Sequence, residues 1–310
     1  MALPKEIWEK QIQKQLFLND QFLNTVGLDH SMYVDNKTVH IPQAGSNPTV
    51  SVNLTSFPAA IGSRTDVDLT YDMNIFYTQP IRVGIDETAY LSYDKRASVL
   101  DAHLNKLRNV IGNRCLYSWA GGVPSGSIVR TSGTATAKAL APSATGTRKA
   151  PTLDDLFDVR NTLGMQNLNP NDPIYGIIPE NMYWEMIKSD NIKKALEWGS
   201  APVGISGNVP IVAGITLLRR SAVTVWDNTG TPVIKTVGDE GTPSSPAASD
   251  NQGALFISNS YVSKALGAIK VYTEDNNPSY YGDIMSATII HGASKMRTNG
   301  EGIVALVQSA

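Results

Sequence analysis

The sequence predicts an α+β protein, on three observations. Residues 38 to 86 place apolar side chains at alternating positions with no helical pattern between them. Residues 94 to 119 carry one long apolar stripe at helical spacing, and the second half mixes short apolar strands with helices. With 310 residues, 42% of them hydrophobic, the chain can bury one large core or two ordinary ones.

Taken in order, "KEIWEKQIQKQLFLNDQFL" sets Trp8, Ile12, Leu16 and Leu23 near one helical face before polar turn residues, which predicts a peripheral amphipathic arm. In "TDVDLTYDMNIFYTQP", Val67, Leu69, Tyr71, Met73, Ile75 and Tyr77 alternate, so one strand has one greasy face. "TVHI" and the alternating Val50, Val52 and Leu54 come before it, and "FPAAIGSR" reads as the turn of a two-stranded ribbon. A lone ribbon is marginal in water, so that face needs a cover.

From Asp94 the period changes: Ala97, Leu100, Leu104, Leu107, Ile111, Cys115 and Trp119 fall three or four apart, and "AGG" ends the run. At about 1.5 Å per residue this helix is roughly 40 Å long. Residues 121 to 150, rich in Gly, Ser, Thr and Ala, read as an irregular connection. In "PTLDDLFDVRNTLG", Thr152 is the N-cap with Asp155 three residues on, and Leu153, Leu156, Phe157 and Leu163 form the apolar side of a second helix. "PIYGIIP" is a buried strand, and "ENMYWEMIKSDNIKKALEWG" is one or two helices stopped by Gly199. "GDEGTPSSPAASDNQG" reads as an exposed polar loop, followed by the strands "ALFIS", "GAIKVYT", "MSATIIHG" and "GIVALVQ".

The chemistry-bearing residues are sparse. A net charge of −2 with 17% charged residues, against about 25% in ordinary soluble domains, argues against a basic nucleic-acid surface. The single Cys115 excludes an intrachain disulfide framework, and no signal-peptide pattern or apolar run of about 18 residues is present. The expectation is a soluble protein made in a reducing cytoplasm. His30, His40, His103 and His291 stand far apart in sequence without metal spacing, so no metal and no cofactor are expected. "TLLRRS" reads as a solvated strand end. One constellation has the order of a serine hydrolase: Ser92-Tyr-Asp-Lys95, Ser189-Asp190-Asn191, and Lys235-Thr236-Val237. The Ser-Asp-Asn triplet recurs at Ser249, the third element lacks its glycine, and Ser92 and Asp94 are equally helix-start residues, so the expectation is a protein that is not an enzyme, with Ser92/Lys95 hydrolysis a remote alternative.

The order of elements resembles the major capsid proteins of tailed bacteriophages, the Hong Kong 97-type coat fold. "APTLDDLFDVRNTLGMQNLNPNDPIYGIIPENMYWEMI" resembles that family's helix, polar link, strand and proline-opened helix. "SGNVPIVAGITLLRRSAV" resembles its glycine-framed strand pair, and "YYGDIMSATIIHGASKMRTNGEGIVALVQ" its closing strands. The resemblance implies an N-terminal arm (1–37), an extended loop (38–86), a peripheral domain (87–165) holding a spine helix (94–119), an axial domain (166–280) and return strands (281–310). It departs at "GNRCL", where many relatives carry an acidic residue.

The resemblance further implies an icosahedral shell around double-stranded DNA, built from hexamers and pentamers of this chain and made in a host bacterial cytoplasm. The portal, a separate scaffolding protein and decoration proteins are the implied partners. DNA would be contacted non-specifically and no membrane is involved. Scaffolding is expected to be separate because Met1 opens directly on the arm. The ribbon would lie across a neighbouring subunit, making Arg64, Val67, Leu69, Tyr71 and Met73, with Trp8 and Ile12 of the arm, the inter-subunit candidates; Leu100, Leu104, Leu107, Ile111 and Trp119 would form the spine-helix core. Some such coats are chained through a lysine of this loop, but none stands between Thr38 and Asp94, so the contacts are expected to be non-covalent, with Arg64 either pairing a neighbour's carboxylate or standing as a solvated turn residue. An encapsulin-like nanocompartment is the alternative of the same fold, and a secreted β-rich adhesin is disfavoured by the long internal helix.

Overall fold

The computed structural model describes residues 21–32, 37–45, 48–55, 57–59, 61–84, 95–188, 211–227 and 230–310. Trp8, Ile12, Ser92 and the triplet 189–191 lie outside the described residues, as does the remainder of the helical stretch up to Gly199. Helix α1 (Gln21–Thr25) and strand β1 (Leu28–Asp29) come first, followed by β2 (Thr38–Gln43), β3 (Val67–Asp72), β4 (Asn74–Tyr77) and β5 (Ile81–Gly84). The long helix α2 (Lys95–Ala120) leads to β6 (Ile128–Arg130), β7 (Ala137–Lys138) and β8 (Thr147–Arg148). Next come α3 (Leu153–Met165), β9 (Ile174–Pro179), α4 (Glu180–Ile187), β10 (Ile211–Val212), β11 (Ile215–Arg220), β12 (Thr224–Asp227) and β13 (Val233–Ile234). The chain closes with β14 (Asn251–Ser258), β15 (Val262–Leu266), β16 (Lys270–Asn277), β17 (Gly282–Lys295) and β18 (Ile303–Val307).

Two sheets share one helix. In the first, the 14-residue β17 pairs antiparallel with β16 and then β15 along one side, and with β5 and then β4 along the other. In the second, β14 lies between β18 on one side and β9 with β12 on the other. Both faces of β14 are covered, so all eight of its residues are buried, the polar Asn251 and Gln252 included, and only Ala254 to Ile257 read as a continuous apolar run. Leu255 and Ile257 face Cys115, Leu116 and Trp119 of α2, whereas Ala254 and Phe256 face Leu156, Val159 and Leu163 of α3 and Met182 and Met186 of α4. The opposite end of α2 packs on the first sheet: Leu100, Leu104, Leu107 and Ile111 meet Ile269, Val271, Met285, Ala287 and Ile289. One amphipathic helix thus joins both cores. The chain crosses from the second sheet to the first at Asn259–Tyr261, between β14 and β15.

Local chemistry sets the boundaries. A full capping box opens α3: Thr152 Oγ1 accepts from the Asp155 amide at 3.3 Å, while Asp155 Oδ2 accepts from the Thr152 amide at 2.8 Å. Asp155 is buried because it also accepts from Ser132 Oγ at 2.6 Å, so the same carboxylate ties the irregular connection to the helix.

Four expectations are corrected. Phe157 is 52% exposed, one step off the face of Leu156, Val159 and Leu163, because α3 buries a narrower stripe than the letters suggest. The partner of β3 is β2, with Val39 opposite Tyr71 and Ile41 opposite Leu69, whereas Val50, Val52 and Leu54 form no strand and are exposed. The strand from Val67 to Tyr77 breaks at Met73: β3 pairs β2, β4 pairs β17, and the inward-facing positions shift from the buried Tyr71 and Met73 to the half-buried Phe76. The polar loop ends at Asp250, since Asn251, Gln252 and Gly253 already belong to the buried β14.

Candidate assembly surface

The β2–β3 ribbon is rooted on its own chain. Its apolar face, Val39, Ile41, Tyr71 and Met73, packs on Ala265 with Ile290 and Met296 alongside. Gly292 makes that approach possible, because a Cβ there would stand 3.1 Å from the Tyr71 ring and 3.2 Å from Met73 Cγ. The Met73 amide donates to the Lys37 carbonyl at 2.7 Å, Gln43 Nε2 donates to the Met296 carbonyl at 2.7 Å, and the Tyr71 hydroxyl meets His30 Nδ1 at 3.3 Å. Tyr71 and Met73 are only 8% and 6% exposed, so this chain itself supplies the cover expected from a neighbour. Leu69 is half-buried and Val67 stays exposed.

Beyond the root the ribbon opens into a loop closed by one carboxylate. Asp66 Oδ1 accepts from the Gly45 amide at 2.8 Å, and both oxygens of Asp66 face Arg64, with Nε at 2.7 Å and Nη2 at 2.9 Å. The Arg64 guanidinium, and then the Gly45 amide, hold the Asp66 carboxyl below its ordinary value. The bidentate fork of Arg64, expected to reach a partner, is thus satisfied within its own turn. Residues 48 to 63 contain no charged side chain. Among them Val50 is 90% and Ile61 98% exposed, with Val52 and Phe57 also open to solvent. Such an uncharged apolar tip lacks the features by which isolated surfaces avoid association.

Apolar side chains also surface elsewhere. Tyr272, Tyr280 and Tyr281 are exposed around the β16–β17 hairpin, near Ile81 of β5. On the second sheet, Arg219 lies 5.1 Å over the Tyr183 ring and 5.8 Å over Trp184, and Trp184 is partly exposed. Arg220 donates to Asn113 Oδ1 at 2.6 Å and covers Phe22 at 5.5 Å, so both arginines of "TLLRRS" are engaged within the fold.

Titratable groups serve packing. A cleft of about 440 Å³ between α2, β4, β17 and residues 234–237 is lined by Phe76, Arg114, Tyr117, Lys235 and His291. Burial pushes the His291 imidazole down to about 4, against a hydrogen bond to the Ala265 carbonyl and with Arg114 nearby, which makes it a poor base at neutral pH. Lys235, the third element of the hydrolase pattern, is paired with the buried Asp250 at 3.1 Å. Among the described residues no group of three or more His, Cys, Asp or Glu is placed to hold a metal ion.

No protein-family model matches the sequence, and no curated protein matches it. Solved structures do match. The head structure of Helicobacter pylori bacteriophage KHP40 superposes with a TM-score of 0.64 at 12% identity, over 94% of this chain and 91% of that one. The capsid of cyanophage Pam1 gives 0.63 at 10% identity, over 92% and 88%. The capsid of cyanophage P-SCSP1u gives 0.61 at 16% identity, over 87% and 83%. The chain has the major capsid protein fold of phages.

Within the capsid-protein fold, Leu100, Leu104, Leu107, Ile111 and Trp119 are all buried on α2, and the indole of Trp119 donates to the Ser263 carbonyl at 2.9 Å. Arg64 and Val67 sit at the exposed end of the ribbon, and Leu69, Tyr71 and Met73 run back toward its root. Several positions that shape the capsid-protein fold gave no sequence signal. Lys264, Arg148 and Asp250 are buried charges: Lys264 is held by the Leu23 and Val26 carbonyls, Arg148 largely by carbonyls about 100 residues later, and Asp250 by Lys235. Arg148 illustrates the difficulty, since its guanidinium donates to the carbonyls of Thr145 at 3.0 Å, Ala248 at 3.1 Å and Asp250 at 3.2 Å. Backbone carbonyls leave no letter in a sequence.

Proposed function

We propose that this chain is the structural subunit of a phage capsid, assembling with copies of itself into an icosahedral shell around double-stranded DNA. One observation carries the reading: a capsid-protein fold holds out an uncharged apolar tip, Val50, Val52, Phe57 and Ile61, that the described residues of its own chain leave uncovered. In this reading the tip lies on a neighbouring subunit within hexamers and pentamers, the rooted half of the ribbon fixes its direction, and Trp8 and Ile12 of the arm add further contact. The first sheet with α2 forms the peripheral part and the second sheet the axial part. Portal, separate scaffolding and decoration proteins are the partners, DNA is held without sequence recognition, and synthesis takes place in the host bacterial cytoplasm.

Many weak, reversible contacts suit a shell, because multivalency supplies strength that no single interface has. No lysine stands between Thr38 and Asp94 and Arg64 is held by Asp66, which supports a non-covalent shell. Negative-stain microscopy of the purified protein tests the reading: closed polyhedral particles are expected, and monomers at every concentration and salt refute it. Particles boiled in detergent under reducing conditions should run as one band at 33.4 kDa. A ladder of multimers refutes the non-covalent mechanism.

A further inference from the structure

The end of the N-terminal arm is held by a buried cation. In residues 21–32, Phe22, Leu23 and Val26 are sunk in the core beside Trp119, with the Phe22 and Trp119 rings edge to face at 6.1 Å. β1 then lies parallel to β15, Leu28 beside Ser263 and Asp29 beside Lys264. The His30 amide donates to the Lys264 carbonyl at 2.8 Å, the Gly27 amide to Asn259 Oδ1 at 2.7 Å, and the Leu266 amide to Ser31 Oγ at 3.0 Å. Lys264 is 6% exposed. Its ammonium reaches back under this segment and donates to the Leu23 carbonyl and, at 2.8 Å, to the Val26 carbonyl.

These acceptors lie at the C-terminal end of α1, where helical carbonyls lack partners and a positive charge is favoured. Among the described residues Lys264 forms no ion pair; burial lowers its pKa, opposed only in part by Cys115 and by the carboxylate of Asp29, its neighbour across the β1–β15 pair. A buried cation whose hydrogen bonds go to neutral carbonyls is an expensive way to fill space, and an apolar side chain of the same length would pack there at no such cost. What the ammonium adds is direction, since its hydrogen bonds accept one placement of α1 against β15.

We propose that Lys264 is a positioning residue for assembly: it locks residues 21–32 onto β15 and thereby sets where, and in which direction, the preceding arm leaves the body. This rests on the shell reading above. Lys264→Met tests it by hydrogen exchange and particle yield together. The expected result is that amides of residues 22–31 exchange at least tenfold faster while those of β9, β14 and β18 keep their rates, and that closed particles are lost or altered in size. A structural filler would behave differently, so unchanged exchange at 22–31, or equal acceleration throughout the chain, overturns the inference. So do normal particles from a variant whose segment has loosened. If Lys264→Met does not fold, Asn259→Ala removes the hold on Gly27 and should give the same local pattern, with the same results overturning it. Failure of the unaltered protein to form particles overturns the shell reading, and with it the assembly role, whereas the local exchange pattern reports the lock by itself.

Discussion

Lys235 and Asp250 form an ion pair of 3.1 Å at the foot of the 238–250 loop, with the carboxylate fully buried and a second oxygen accepting from the Ala247 amide at 2.8 Å. Breaking a buried pair leaves an uncompensated charge and costs about 3–5 kcal/mol. Asp250→Ala should therefore lower the denaturant midpoint sharply. Five residues earlier, Ser245 is exposed, and a short peptide tag there should leave stability and particles intact. The two outcomes are read from unfolding curves and microscopy, and equal tolerance at both positions would show that the pair contributes nothing.

Leu104→Asp or Leu107→Asp places a carboxylate between α2 and the first sheet, against residues such as Val271 and Met285. An unpaired buried charge costs several kcal/mol, so insoluble protein is expected. Soluble variants with an unchanged thermal midpoint would contradict the packing described.

The tip makes the opposite prediction. Val50 and Ile61 touch little in their own chain, so Val50→Asp and Ile61→Asp should change subunit stability by no more than about 0.5 kcal/mol. Particle yield should collapse, because the charge would have to be buried at the contact. Normal particles from Ile61→Asp would place the tip outside the interface. Arg64→Ala should act locally, speeding amide exchange around Gly45 by opening the Asp66 clasp.

Acid should weaken the fold in a defined window. His291 has its folded pKa depressed to about 4 from 6.5, so between those values the unfolded chain binds the proton more strongly. Stability is complete above pH 6.5 and falls progressively as pH drops toward 4, by about 3 kcal/mol at one pKa unit per roughly 1.4 kcal/mol. His103 and His30, also lowered by burial, act in the same direction. Chemical denaturation at pH 7, 5.5 and 4.5 measures the slope, and His291→Gln should flatten it. An unchanged slope in that variant would assign the acid sensitivity to other groups.

Sequence by itself determined the elements whose signal is local and periodic. The stripe from Ala97 to Trp119 specifies α2 and its end at Ala120, and Thr152 with Asp155 specifies the start of α3, because a helix face and a cap are satisfied within a few residues of themselves. The element order was enough to bring out the capsid-protein resemblance. Tertiary structure alone decided which partners the ribbon takes. The alternation in 67–77 is equally compatible with Val50–Leu54 and with Val39–Ile41, and a register is settled only when Gly292 and Ala265 offer a seat for Tyr71 and Met73. It also decided the switch at Met73, where β17, more than 200 residues later, captures β4 and turns Phe76 inward. The burial of Lys264 and Asp250 belongs to the same class. A charge looks exposed in a sequence until distant carbonyls or a paired cation make its burial tolerable, and those partners exist only once the chain has closed on itself.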